Sequence, residues 1–143
     1  MKQFLVLLAV LPLMLVFFVQ FSVDQINSTR IAKLSDIVYA AKEQAKQEGC
    51  FTDSMQDGLR EDIASGLGIS ADRVRIEADS TPVNRLYSAD GFTSADWERG
   101  LIHYRVSVDI GQAMAGASLF GIKEKDNVYT YVIDSYTASE RLR

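Results

Sequence analysis

The side-chain types that most often carry catalysis are sparse in this 143-residue chain. It has a single histidine, His103, and a single cysteine, Cys50. Neither a histidine-rich metal set nor a pair of cysteines with zinc spacing can therefore be assembled from it. The sequence also contains no G-x-x-x-x-G-K-[ST] phosphate loop and no G-x-S-x-G nucleophile turn. These observations predict a protein that is not an enzyme and that uses no cofactor or metal.

The remaining polar groups have structural explanations. His103 falls on the polar side of an alternating segment. A general base needs an oriented partner and a substrate cleft, so we expect His103 to be an exposed or partly packed residue. Four carboxylates lie on the solvated face of a predicted short helix, where a bias towards the first turn suits the helix dipole. They are Asp53, Asp57, Glu61 and Asp62.

Two residues offer covalent chemistry of another kind. Asn27, Ser28 and Thr29 match the N-glycosylation acceptor pattern, a three-residue pattern that is frequent by chance, so Asn27 is a candidate acceptor. Cys50 follows a predicted helix end, where we expect it to act as a small buried hydrophobe. The alternative is a disulfide between two subunits, because one cysteine cannot form a bridge within the chain.

The charge balance argues against nucleic acid as a partner. The formal net charge is −4 and the isoelectric point is near 4.9. Such a chain has no overall positive field to hold a phosphate backbone. No specific nucleic-acid binding is therefore predicted.

The N-terminal segment from Phe4 to Val23 is an almost unbroken apolar run, with Gln20 and Ser22 as its polar members. Twenty helical residues at ~1.5 Å each span the ~30 Å hydrocarbon core of a bilayer. No small-residue cleavage site follows, so an uncleaved helix is favoured over a removable signal peptide. Lys2 favours a cytoplasmic N-terminus, which places the rest of the chain outside.

The helical pattern then continues past the membrane-type segment. Apolar residues recur at three- and four-residue steps up to Gly49, a natural helix stop. The sequence therefore predicts one helix over residues 1–49, with a membrane or filament-core part in 1–23 and an amphipathic part in 24–49. Pro12 removes the hydrogen-bond partner of the Leu8 carbonyl, so a kink or a locally melted stretch is expected there.

Residues 50–143 predict a globular α+β head domain. Thr52 and Asp53 read as the start of a short amphipathic helix that ends near Gly66 to Gly68. Alternating patterns predict an antiparallel sheet of three or more strands, at 74–78, 101–110 and 128–137. The last of these has apolar residues on both faces, which predicts a more central or more covered strand.

Two further segments are candidates for subunit contacts. Residues 84–100 are rich in turn formers and contain the aromatic anchor Trp97, which either contacts another subunit or covers the domain's own core. Residues 113–122 are apolar and punctuated by glycine, and include Met114, Leu119 and Phe120. They predict either a tucked-in loop or short helix, or an apolar patch buried against a neighbouring subunit.

The order of these features resembles the type IV pilin superfamily. The segment Val10 to Phe18, VLPLMLVFF, is similar to the proline-containing apolar opening of Tad-type pilins and pseudopilins. The later order of a short helix ending in Leu67-Gly68-Ile69, a strand Val74-Arg75-Ile76 and then Pro82-Val83 is similar to members of that group. The resemblance covers most of the chain in architecture and is specific over about its first quarter.

The resemblance implies a structural subunit of an extracellular, type IV-like filament. Identical subunits would bundle their apolar helices into a fibre core, after insertion in the cytoplasmic membrane and with the help of a pilus assembly machinery. Main-type pilins carry a glutamate at the fifth mature position, where this chain has Leu5, so that registry mechanism does not carry over. The residues expected to mediate assembly are Leu5, Leu8, Val10, Pro12, Leu15, Phe17, Phe18 and Phe21.

Two other functions remain open at the level of sequence. The chain would act as a signal-anchored binding module if its head domain recognised a ligand while the helix held it on the membrane. It would act as an accessory subunit of a secretion complex if the helix packed with unlike partners.

Overall fold

A computed structural model of the chain describes residues 1–86 and 100–142. A long helix, α1, is followed by a short helix, α2, and a three-stranded antiparallel sheet, which confirms the predicted α+β fold. Trp97, the predicted loop anchor, lies outside the described residues. The elements are α1 (Lys2–Glu48), α2 (Asp53–Leu67), β1 (Val74–Ala78), β2 (Leu101–Gln112) and β3 (Val128–Ala138).

The helix α1 ends where the sequence predicts, at Gly49. Gly49 adopts a left-handed backbone conformation with φ of 82°, and its N–H donates to the Ala45 carbonyl at 2.8 Å. A Cβ atom at this position would lie 2.4 Å from the carbonyl oxygen of Val83. Gly49 is thus required both by the backbone angle and by the close approach of the chain that follows β1.

The helix is continuous through Pro12. Of the two alternatives predicted at Pro12, the locally melted stretch is therefore wrong, and the kink stays a prediction. A proline lacks one N–H, but the hydrogen bonds of the turns on either side can hold the helical backbone in place. The two halves of α1 thus form one element of 47 residues, about 70 Å long at ~1.5 Å per residue.

The second helix shows the predicted caps. The Thr52 hydroxyl accepts a hydrogen bond from the Met55 N–H at 3.3 Å, and Gly68 ends the helix with φ of 64°. Its buried side chains pack on the amphipathic half of α1 and on β1. They are Leu59, Ile63 and Leu67.

The sheet has the order β1-β2-β3, with β2 in the centre. Val106 of β2 lies opposite Ile76 on one side and Ile133 on the other. Alternate residues of β2 face the helices and form the middle of the core. They are Ile102, Tyr104, Val106, Val108 and Ile110, each at most 6% exposed.

The prediction that the third strand is the more covered one was wrong. β3 lies at an edge of the described sheet, and its outward side chains Val132 and Tyr136 are 42% and 61% exposed. The Tyr136 ring instead contacts the ring of His103 on β2, with centroids 4.7 Å apart. Its apolar residues therefore support strand formation through cross-strand contacts rather than through burial.

The core closes where α1 meets the head domain. Phe51 is fully buried and contacts the Tyr104 ring, with centroids 5.5 Å apart. Cys50 beside it is a free thiol and 3% exposed, which confirms the expectation of a small buried side chain. A disulfide between subunits would require this end of the core to open.

The C-terminal end of the chain returns to the same junction. The Glu140 N–H donates to the Lys46 carbonyl at 2.9 Å.

The side-chain hydrogen bond from Lys46 lowers the pKa of the Glu43 carboxyl below its usual value. A lowered folded-state pKa stabilises the fold above the unfolded-state pKa, and this contribution is lost as the pH falls through the folded-state value.

Candidate membrane and assembly surface

The N-terminal half of α1 is bare apolar surface. By length and composition the helix is able to cross a membrane, with a mean hydropathy of 2.7 in its most apolar 18-residue window. No part of that window is buried against the protein, which distinguishes it from the core helix of a soluble domain. The residues predicted for filament assembly are all exposed: Leu5, Leu8, Val10, Pro12, Leu15, Phe17, Phe18 and Phe21.

Polar side chains fasten the middle of α1 to the end of β2. The Arg30 guanidinium donates to the Ile110 carbonyl, and the Asn27 amide donates to the Gln112 carbonyl at 2.9 Å. The strand has a register shift between Asp109 and Gly111, next to these contacts. The bulge turns the backbone carbonyls of the strand end towards the helix, so that side chains of α1 can satisfy them.

This clamp, formed by Asn27 and Arg30 on the carbonyls of Gln112 and Ile110, was not predicted from the sequence. Asn27 lies seven residues before the buried Leu34, and Arg30 lies four residues before it, so all three share one helix face. An asparagine on an otherwise apolar stripe was the available signal, since a buried amide requires hydrogen-bond partners.

The clamp also corrects the interpretation of Asn27 as a glycosylation acceptor. Asn27 is 8% exposed, and the side-chain nitrogen that a glycan would join donates to Gln112. In the folded chain the Asn27 amide is therefore engaged in a structural contact and is not presented as a surface acceptor.

Replacing Gly111 with alanine should loosen the clamp. The added Cβ atom would lie 2.5 Å from Asn27 Oδ1 and 3.1 Å from a guanidinium nitrogen of Arg30. We expect a loss of about 1–3 kcal/mol in the free energy of unfolding, as for other overpacked sites. Urea denaturation of the full chain in detergent micelles measures this change.

Gly58 provides the matched control for that substitution. It lies inside α2, and a Cβ atom there meets nothing within 4 Å. Gly58→Ala should therefore raise stability by up to ~1 kcal/mol, the difference in helix propensity. Equal effects of the two substitutions would contradict the assignment of a clamp at Gly111.

The apolar segment 113–122 is held in place at two points. The Gln20 side chain of α1 accepts from the Ala115 N–H at 2.9 Å and donates to the Ala113 carbonyl at 3.4 Å. The buried Asn127 pairs with both backbone groups of Met114, each at 2.8 Å. The segment is thus a fixed part of the head domain.

The structure confirms a short helix in this segment, and burial against a neighbouring subunit stays a prediction. Residues Ala117–Phe120 form a short 3-10 helix, and the small side chains of Ala115 and Ala117 are buried. Met114 is half-buried, whereas Leu119 and Phe120 are 78% and 64% exposed. The structure therefore shows a short helix that presents an apolar tip.

The outer face of the sheet carries exposed polar and charged side-chain pairs. His103 Nε2 lies 2.7 Å from Asp134 Oδ1, and Arg105 Nε lies 3.6 Å from Asp134 Oδ2. Asp109 accepts from the Thr130 hydroxyl at 2.6 Å and lies 3.4 Å from Arg75. Exposed pairs of this kind contribute about 0–1 kcal/mol each.

His103→Ala should therefore have little effect. We expect the free energy of unfolding to change by less than ~1 kcal/mol, because only an exposed pair and one ring contact are lost. Thermal unfolding and membrane fractionation of the variant test this. A complete loss of cellular function with a normal fold would instead point to chemistry at the His103–Asp134 pair.

A cleft of about 530 Å³ opens between α1 and the start of β3. Its charged lining includes both signs, with Arg30, Arg73 and Lys125 facing Glu124. Within residues 1–86 and 100–142, no three histidine, cysteine or acidic side chains come together as a metal site would require. The cleft is therefore a mixed-charge surface feature.

Comparisons with protein-family models, with curated proteins and with solved structures find no match to this chain. The resemblance to pilins stays a prediction from the sequence pattern.

Proposed function

We propose that this chain is a structural subunit of an extracellular, type IV pilin-like filament, and that it polymerises through the apolar half of α1. The observation that carries the proposal is the division of one unbroken helix into a half docked on the head domain and a half that contacts almost nothing. Such a helix both crosses a membrane and extends a folded domain.

The bare half of α1 must be covered by something other than water. The successive residues from Phe4 to Leu8 are all apolar and each is more than half exposed. Because successive residues of an α-helix lie about 100° apart, these side chains cover all sides of the helix. A helix that is apolar all round is stable in lipid or when surrounded by other helices. Lipid provides this cover for the subunit in a membrane, and copies of the same helix provide it in a fibre.

The docked half of α1 gives the filament its outer wall. Arg30, Asn27 and Gln20 fix the helix to the end of β2 and to the segment after it. The head domain cannot rotate freely about α1, so packing of the bare helices also sets the spacing of the heads. Repetition of one such contact between different faces of successive copies generates a helical fibre.

The principal alternative is a membrane-anchored binding module that remains a monomer. It uses the same helix, covered by lipid throughout, and it requires a ligand site on the head domain. The 530 Å³ cleft beside Arg30 and Arg73 is the described surface that suits such a role. An accessory subunit of a secretion complex would differ in having unlike helices around α1.

Electron microscopy of sheared cell-surface material from cells that produce the chain distinguishes these functions. The filament proposal expects thin fibres that bind an antibody against the head domain. Mass spectrometry of the purified fibres should recover peptides from residues 4–23. Retention of all the chain in the membrane fraction, with no fibres, would favour the anchored module.

A further inference from the structure

We propose that the tip formed by Leu119 and Phe120 is a second membrane contact of the subunit. These two side chains enter the boundary between lipid headgroups and acyl chains, beside the point where α1 leaves the bilayer. The occupant of the patch is thus lipid. The inference rests on insertion of α1 in a membrane and does not require that filaments form.

The course of the chain after β2 brings the tip to the membrane side of the head domain. Arg30 donates to the Ile110 carbonyl, and Asn27 donates to the Gln112 carbonyl. Further along the chain, the Ala115 N–H donates to the Gln20 side chain. From Ile110 to Ala115, the partner residue on α1 shifts from Arg30 to Gln20. That is ten residues, or about 15 Å, towards the N-terminus of the helix. The chain then turns back to β3, whose first residue lies opposite Gln112. The tip is therefore the turning point of a connection that runs down the helix towards its apolar half.

The segment 113–122 contacts α1 at the edge of the apolar half of that helix. Within residues 2–22, Val16 and Gln20 are half-buried and the others are exposed. They are one turn apart on the same helix face, and Gln20 is the residue that binds Ala113 and Ala115. The segment thus lies beside the last apolar turns of α1, at the depth where lipid headgroups begin.

The tip itself is suited to an interfacial environment. Its backbone groups bond locally: Leu119 N–H to the Gly116 carbonyl at 2.9 Å, and Ile122 N–H to the Ala117 carbonyl at 3.1 Å. Gly116 and Gly121 both have positive φ, which allows the tight turn that points the side chains outward. Backbone polar groups that are satisfied internally can enter an apolar layer at little cost.

The residues that follow the tip suit the headgroup layer. Lys123 and Lys125 are exposed and follow Ile122, which is itself 38% exposed. They alternate with the exposed carboxylates of Glu124 and Asp126, so this charged stretch belongs in the hydrated headgroup layer. The lysine ammonium groups can reach lipid phosphates while Leu119 and Phe120 enter the ~5–10 Å depth that is typical of interfacial apolar side chains. A second attachment of this kind would fix the tilt of the head domain on the membrane.

Tryptophan fluorescence of the full chain in lipid vesicles tests the inference. The only tryptophan of the sequence, Trp97, is replaced by phenylalanine, and Phe120→Trp then provides a single reporter. The lipids carry bromine near the top of the acyl chain, and one chain per vesicle is used. We expect a blue-shifted emission and a loss of intensity relative to the same vesicles without bromine.

Two further reporters make the result decisive. Tyr136→Trp is the matched control, because Tyr136 is 61% exposed on the outer face of the sheet, compared with 64% for Phe120. It should show neither the shift nor the loss. Phe17→Trp reports insertion of α1 and should show both.

Three outcomes would overturn the inference. The first is water-like emission at position 120 while Phe17→Trp is quenched, and the second is equal quenching at positions 120 and 136. The third is a shift at position 120 that occurs only in assembled fibres, which would make the patch a contact between subunits. A failure of the filament proposal would leave the expected vesicle result unchanged.

Discussion

Val10→Asp is expected to weaken the membrane insertion of this chain and to prevent its assembly into fibres. Val10 lies in the middle of the bare apolar half and is 44% exposed. An aspartate at the centre of a membrane helix costs about 2.5–3.5 kcal/mol on insertion scales, and the cost persists in a dry bundle of helices. At ~1.4 kcal/mol per factor of ten, the equilibrium constant for insertion should fall by about two orders of magnitude. Membrane fractionation measures this loss, and electron microscopy of sheared material measures the loss of fibres.

Val10→Leu is the matched control for that change, because it alters the same position and keeps it apolar. It should insert and assemble normally. Asp at Leu15 should reproduce the defect, since Leu15 is similarly exposed on the bare half. Normal fibres from Val10→Asp would contradict a filament core made of bundled α1 helices.

Phe51→Ala is expected to cause the largest loss of stability in the head domain. Phe51 is fully buried between α1 and the sheet and contacts the Tyr104 ring. Truncating a buried phenylalanine leaves a cavity and costs about 3–5 kcal/mol. That is a large share of the ~5–15 kcal/mol that stabilises a typical domain. Urea denaturation of the full chain in micelles, followed through the signal of the sheet, measures the change.

Tyr39→Ala is the control for Phe51→Ala. Tyr39 lies on α1, is 59% exposed and contacts the Lys42 ammonium, which lies 4.1 Å from its ring centroid. Its loss should cost no more than ~1 kcal/mol, the value for an exposed cation–π contact. A Phe51→Ala variant as stable as Tyr39→Ala would show that the junction of α1 and the head domain is not part of one cooperative core.

Most of the architecture could be predicted because it depends on local pattern. Apolar residues at helical spacing and Gly49 define α1 and its end, and Thr52 and Gly68 bound α2. Strict alternation from Leu101 predicts a strand with one face on the core, which is β2. In each case the signal lies within a few residues of the feature that it predicts.

The features that the sequence did not reveal depend on contacts between distant residues. The Asn27 clamp joins residues that are 85 positions apart, and the Gln20 contact with Ala115 spans 95. The edge position of β3 was hidden because its apolar side chains look like those of a covered strand. Pairing of this kind is set by the folded arrangement and leaves no periodic mark.

The helix α1 thus carries two surfaces that are suited to different surroundings. The half of α1 from Leu34 onward packs on α2 and the sheet as in any soluble domain. The half before Gln20 is suited to lipid or to other apolar helices. The filament proposal states that neighbouring α1 helices replace lipid around this half when a subunit assembles, and that the head domain does not refold.

Photo-crosslinking at Leu15 in sheared fibres tests that proposal most directly. A photoreactive amino acid at this position reports what covers the bare half of α1. The proposal predicts a ladder of products at multiples of the 15.9 kDa subunit mass, because each helix contacts others in a repeating, non-closing arrangement. Adducts with lipid alone, and no ladder under any condition, would contradict it.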